Sequence, residues 1–194
     1  MGRKVAIIGA GYVGATVAYT LAVSGNASEV VLIDIKEDKA FGEAMDIRQG
    51  APYIAPLQIY SGSYEDAKGA DIVILTSGVA RRPGQSRLDL AQINVNITKS
   101  IIPDITRVAP NAVYIIVSNP VDILTYVFCK YSGLPEKQII GSGTILDTAR
   151  LRSRLAENFS ISMQNVHASV FGEHGDSAFV PWSLATISGT PVDT

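Results

Sequence analysis

The chain of 194 residues is short of the features that would send a protein out of the cell or onto a nucleic acid. It has one cysteine, Cys129, so no disulfide can form within it, and a reducing cytoplasmic compartment is its natural setting. Sixteen Lys and Arg against eighteen Asp and Glu leave a net charge of -2. The basic residues are scattered, which offers no positive footprint to nucleic acid. The densest basic pair, Arg81-Arg82, stands beside Pro83-Gly84 in a stretch that reads as a loop. Internal repeats and low-complexity segments are absent, and no metal site is expected. Charge is missing altogether from Val5 to Ala27, a run long enough to imitate a membrane span. Four glycines and several hydroxyl residues interrupt it, so a strand, a glycine turn and a helix explain it better. The chain is expected to be soluble, with no membrane partner.

What is present is apolar material, at 47% of the residues, arranged in short buried runs. Val5–Ile8, Val30–Ile33, Ile72–Leu75 and Val113–Val117 are wholly apolar, as strands buried on both faces of a parallel sheet must be. A weaker strand is expected at Leu57–Tyr60. Between them lie helical patterns over 12–23, 36–47 and 87–109, then from about Pro120 to Tyr131 and from Leu146 to Asn158. Pro103 is expected to kink or interrupt the third of these. Alternating strands and helices imply a Rossmann-type doubly wound parallel sheet in an α/β protein. After Phe159 the texture changes, and 166–171 reads as an antiparallel strand. We therefore expect a dinucleotide-binding domain over 1–143 and the beginning of an α+β substrate domain over 144–194.

Gly9-Ala10-Gly11-Tyr12-Val13-Gly14 follows the first strand and opens the first helix. G-x-G-x-x-G alone is a weak signal, but here Asp34 stands 20 residues beyond Gly14, at the end of the second strand. Gly9 permits the tight turn, Gly11 lets a pyrophosphate approach the backbone, and Gly14 lets the helix pack close to the sheet. The helix start offers unpaired N–H groups to the phosphates. Asp34 should accept hydrogen bonds from the adenosine ribose and repel a 2′-phosphate, which favours NAD over NADP. The bland alternative is a structural turn with Asp34 capping the next helix.

Further along, four segments carry a resemblance to the lactate/malate dehydrogenase family: Arg87–Leu90, Val117–Asp122, Gly141–Arg150 and Gly172–Ser177. The GSGT-x-LD-x-AR and GEHGDS forms look like the lactate branch. The resemblance implies reversible hydride transfer between NADH and pyruvate to give L-lactate, at the end of glycolysis or in fermentation. It implies that His174, one of only two histidines, is the acid/base and that Asp147 holds its ring. Histidine suits the task because its pKa lies near the working pH. Arg150 would take the substrate carboxylate with a bidentate fork, and Arg87 would polarise the substrate oxygen. Asn119 would hold that oxygen and the nicotinamide side. The implied cofactor contacts are Gly9, Gly11, Val13, Gly14, Asp34, Lys39, Tyr64, Gly78, Val79, Val117, Asn119 and Ser142. Arg152 and His167 match positions that bind fructose 1,6-bisphosphate in allosteric bacterial members, and a homotetramer is implied for the full-length protein.

One residue departs from the lactate pattern. Arg81 matches the loop position that, in the family, touches the end of the substrate away from its carboxylate. Lactate enzymes typically have glutamine there, and malate enzymes arginine, which pairs with the second carboxylate of oxaloacetate. Lactate is the first expectation and malate the alternative. A non-catalytic NAD-binding module is a distant third, since it would have no use for the acid/base set. Family members are about half as long again, so the residues closing the far side of the substrate pocket are expected beyond Thr194.

Overall fold

A computed structural model describes residues 2–80, 84 and 86–192, and for Arg87 the backbone only. The chain divides into two compact units, Met1–Gly141 and Ser142–Thr194.

In the first unit, strands β1 (Lys4–Ile8), β2 (Glu29–Ile33), β3 (Gln58–Ser61), β4 (Ile72–Leu75), β5 (Val113–Ile116) and β6 (Ile139–Gly141) form one sheet in the order β3-β2-β1-β4-β5-β6. Every pairing is parallel. Helices α1 (Tyr12–Ser24), α2 (Glu37–Gln49), α3 (Arg87–Val108) and α4 (Val121–Ser132) supply crossovers that return the chain to the same end of the sheet. Alternation within the apolar runs sends side chains to two separate cores. Ala6 and Ile8 join Val73, Leu75, Tyr114 and Phe128 on one face, while Val5 and Ile7 join Val30, Leu32 and the α1 residues Ala18 and Ala22 on the other. Small residues on α1 let that helix lie close to the sheet. β1 pairs with β2 on one side and β4 on the other, so the loops leaving β1 and β4 diverge and open a crevice at their carboxyl ends.

Helix α3 is not interrupted at Pro103; it runs on to Val108. The proline removes one backbone donor, but Ile101, Ile102 and Ile105 around it are buried in the sheet core and hold the turn in place. Among the described residues no helix is long and apolar enough to cross a membrane.

The second unit consists of α5 (Ile145–Phe159) and an antiparallel sheet of β7 (Val166–His167), β8 (Thr186–Ile187) and β9 (Thr190–Pro191). Ala156, Val166, Ala168 and Ala185 form its small core. The strand expected over 166–171 stops at His167, because side chains of α5 take over its backbone. Arg152 Nε donates to the Ala168 carbonyl (2.8 Å), Thr144 Oγ1 donates to the Val170 carbonyl (2.6 Å), and Thr148 Oγ1 accepts from Val170 N–H (2.9 Å).

Near the start of β1, Lys4 Nζ meets Glu29 Oε1 at 2.8 Å, and Tyr60 donates its hydroxyl to the same oxygen at 2.7 Å. The hydrogen bonds from Lys4 and Tyr60 hold the Glu29 carboxyl below its usual range. Its contribution to stability is therefore present above the unfolded pKa and is lost as pH falls through the folded one. Glu29→Gln is expected to cost about 0.5–1 kcal/mol at pH 7 and nothing once the wild-type carboxyl is protonated. Urea midpoints of the two proteins should converge on acidification, and a constant gap would refute the assignment.

Candidate functional site: a glycine turn and a histidine–aspartate pair

The first unit gathers its candidate residues along the carboxyl ends of β1, β2, β4 and β5. Gly9 follows β1 with φ +106°, a conformation that side chains other than glycine's rarely adopt. Its N–H donates to the Ile33 carbonyl (2.7 Å) and its carbonyl accepts from Thr76 Oγ1 (2.8 Å), so the turn is tied to both neighbouring strands. A Cβ on Gly14 would fall 1.9 Å from the Gly9 carbonyl oxygen and 2.7 Å from Thr76 Oγ1. Gly11 is different: it begins α1 as its N-cap, and a Cβ there would meet nothing within 4 Å. No side chain caps α1, so its first N–H groups face that open space unclaimed by a cap. The Ser77 hydroxyl beside the turn is buried and has no hydrogen-bond partner among the described residues.

Asp34 ends β2 with its carboxylate already engaged. Oδ2 accepts from Ala10 N–H (2.7 Å) and Oδ1 from Lys36 N–H (2.9 Å). The acid is thus a clamp on the glycine turn, and each oxygen keeps a second lone pair for a hydroxyl donor. It borders a cavity of about 430 Å³ lined also by Ile33, Ile35, Ser63 and Tyr64. Burial, with smaller contributions from Asp104 and Asp34, pushes the Tyr64 hydroxyl up, which keeps it protonated and a donor at neutral pH. Lys39 Nζ stands 5.6 Å from the ring centroid of Tyr12, and Val13 is half exposed on the first turn of α1.

Across the crevice, Gly78 (φ +156°) and Val79 leave β4, and Val79 N–H donates to Asn94 Oδ1 at 3.0 Å. Val117 N–H continues the β5 ladder onto the Leu75 carbonyl, and Ser118 Oγ donates to the Ser77 carbonyl at 2.6 Å. Asn119, exposed, accepts from Val121 N–H through Oδ1 and precedes Pro120 by a cis peptide bond. Arg87 is the first residue of α3, where Ser86 and Asp89 form a reciprocal capping box. Arg81 lies outside the described residues, as does the side chain of Arg87.

The second unit assembles the expected acid/base group. Asp147, on the first turn of α5, brings Oδ2 to 2.5 Å from His174 Nδ1 and Oδ1 to 3.4 Å from Arg150 Nη1. The three-residue spacing puts Asp147 and Arg150 on one helical face. His174 sits in a loop closed by Phe171 and Phe179, which exchange two backbone hydrogen bonds of 2.9 Å, with Gly172 at φ +94° turning the chain. The α5 contacts to 168–170 anchor the near end of that loop. Arg152 is half-buried with Nε on the Ala168 carbonyl, and His167, immediately before Ala168, is exposed. Ser142 accepts from Ile145 N–H through its carbonyl just before α5. Among the described residues no cluster could hold a metal ion.

Sequence reading passed over Asn94, Thr76, Ser118 and Ser63. Each acts through a hydrogen bond, or borders the cavity, across a separation in sequence that no local pattern reports. Only the S-x-x-D spacing of Ser63 and Asp66, a capping box in the structure, was visible beforehand.

A six-stranded parallel sheet with this strand order, an open glycine turn at its crevice and an acid on the second strand define a dinucleotide-binding protein. Family models confirm and narrow that class. The lactate/malate dehydrogenase NAD binding domain matches residues 3–141, and the alpha/beta C-terminal domain of the same family matches 144–194. The chain belongs to the lactate/malate dehydrogenase family, and NAD is its cofactor. It is 52% identical over 191 residues to an L-lactate dehydrogenase of Thermoanaerobacter sp., covering 98% of this chain and 61% of that protein. Among solved structures it resembles a minor L-lactate dehydrogenase from Enterococcus mundtii in its ligands-bound form (TM-score 0.96, 42% identity), covering 99% of this chain and 62% of that one. It also resembles the apo malate dehydrogenase of Picrophilus torridus (TM-score 0.94, 38% identity), covering 100% and 62%. The chain thus spans about three fifths of the length of the relatives it matches.

The two helix-side glycines should separate by experiment. Gly11→Ala is expected to leave stability within about 1 kcal/mol, since its methyl meets no protein atom, while weakening NADH by about tenfold or more. Gly14→Ala should cost about 2 kcal/mol or more through the clash with the Gly9 carbonyl. Thermal melts paired with NADH titrations check both; a Gly11→Ala protein that binds NADH normally would show that the open space is not where the phosphates lie.

Proposed function

We propose that the protein reduces pyruvate to L-lactate, with NADH as reductant, and catalyses the reverse oxidation. The observation that carries this reading is the Asp147 carboxylate shared between His174 and Arg150, on a chain 52% identical to an L-lactate dehydrogenase. With Nδ1 held by Asp147, proton exchange with the substrate oxygen falls to His174 Nε2, and the Asp147 carboxylate stabilises the imidazolium. NADH, when bound, supplies the hydride that goes to the keto carbon. His174 gives the proton that completes the hydroxyl, so one hydride and one proton convert the ketone to the alcohol. Arg150 is suited to the substrate carboxylate, Arg87 to the oxygen as charge develops, and Asn119 to the same oxygen from the β5 side.

The glycine turn with Gly9, Gly11, Val13 and Gly14 would take the pyrophosphate. Asp34, Lys39 and Tyr64 would take the adenosine end, and Gly78, Val79, Val117, Asn119 and Ser142 the nicotinamide end. A cytoplasmic fermentative role is part of the same reading, and a lone cysteine, Cys129, fits a reducing compartment. Arg152 and His167 are the residues we assign to fructose 1,6-bisphosphate, within a homotetramer. Arg152 Nε is already spent on the Ala168 carbonyl, which leaves its terminal nitrogens for a phosphate.

Arg81 favours a second reading, malate dehydrogenase, because a guanidinium at that loop position would pair with the second carboxylate of oxaloacetate. Steady-state kinetics of the full-length protein with pyruvate and with oxaloacetate, with and without fructose 1,6-bisphosphate, tests both; no NADH consumption with either acid refutes the enzyme assignment. Arg81→Gln is expected to raise the pyruvate-to-oxaloacetate ratio of kcat/KM, and an unmoved ratio means that Arg81 does not read the substrate. His174→Asn should lower kcat by about 10²–10⁴-fold with NADH affinity retained. A variant that still turned over near the wild-type rate would remove His174 from the chemistry.

A further inference from the structure

Asn94, 4% exposed, and Thr98, 2%, are the buried polar residues among those described. Asn94 lies on α3 seven residues after Arg87, two turns along the same helical stripe. Both its donors and its acceptor oxygen are engaged. Oδ1 accepts from Val79 N–H (3.0 Å), and Nδ2 donates to the Asn119 carbonyl (2.8 Å) and to the Val79 carbonyl (3.4 Å). One side chain therefore joins the segment leaving β4, the segment leaving β5 and the helix that Arg87 begins. The approach is close enough that a Cβ on Gly78 would stand 3.2 Å from Asn94 Oδ1.

The chemistry is specific to a carboxamide. Only Asn or Gln presents one acceptor and two donors in a plane, and the longer Gln would not fit the same distances. An aspartate there would set a carboxylate against two carbonyl oxygens, and a hydroxyl or methyl would leave buried backbone groups unpaired. The segments so joined lead, on one side, through Val79 toward Arg81 and, on the other, to Asn119. We infer that Asn94 is a positioning residue: it fixes the spacing between Val79 and Asn119, and with it the edge that receives the substrate oxygen and the nicotinamide. This role rests on the function proposed above.

The test uses the full-length protein with Asn94→Asp, which keeps the shape and loses both donors, and Asn94→Ser, which carries the comparison should the first not fold. Four quantities are measured: kcat with the 2-oxo acid that the wild type reduces, the Kd of the inert pyruvate analogue oxamate for the NADH complex, the Kd of NADH itself, and the thermal midpoint. We expect kcat and oxamate affinity to fall by about 10–100-fold while NADH affinity changes by less than about threefold, as for a displaced substrate contact. Folded variants that keep both kcat and oxamate affinity, whatever their thermal midpoint, overturn the role of Asn94 alone. A wild-type protein inert toward every 2-oxo acid overturns the functional reading and this role with it.

Discussion

Two missing Cβ atoms set the geometry on which the cofactor side of this protein depends. Gly14 rests against the Gly9 carbonyl so closely that even a methyl group would collide with it, and Gly9 itself adopts a left-handed backbone against the exit of β4. That contact seats the start of α1 directly over the end of β1. From it follow the open space at Gly11, the uncapped N–H groups beyond it, and the reach of the Asp34 carboxylate to Ala10 N–H. The acid and the turn are thus one unit: Asp34 holds the loop whose far side is open at Gly11.

The second unit solves a related problem with different means. Its histidine sits in a loop, and loops are the least constrained part of a chain. Here the constraint comes from α5, whose Thr144, Thr148 and Arg152 satisfy the backbone of 168–170 in place of a neighbouring strand. The Phe171–Phe179 backbone pair then closes the loop that carries His174. Helix α5 also provides Asp147 and Arg150, so the element that anchors the loop also orients the imidazole within it.

Much of this was legible in the residues. Apolar runs of four announced buried parallel strands, and G-x-G-x-x-G followed by Asp34 announced the crevice, because both depend on short-range spacing. Asp147 and Arg150 at helical separation were readable for the same reason. Two local expectations met tertiary packing. Of the kink or interruption expected at Pro103, the interruption does not occur, since buried isoleucines on either side hold the helix against the sheet. The strand from Val166 ends at His167, since side chains from 16 to 26 residues away in sequence capture the carbonyl and amide groups that a longer strand would have used; that distance is what hid them.

The alternation of strand and helix, the glycine turn with its acid, and the family to which the chain belongs could all be read from the residues alone. The strands, helices and glycine turn are written in residues a few positions apart, where sterics and periodicity act locally, and the acid and the family segments in fixed spacings along the chain. What those residues do to one another came from the fold: that Asp34 clamps the turn it serves, that one buried carboxamide ties together the segments leaving β4 and β5, and that Asp147 reaches His174 across 27 positions of chain. Hydrogen bonds between distant segments depend on where the sheet and helices bring them, and burial away from water makes each unpaired group costly enough to fix that arrangement.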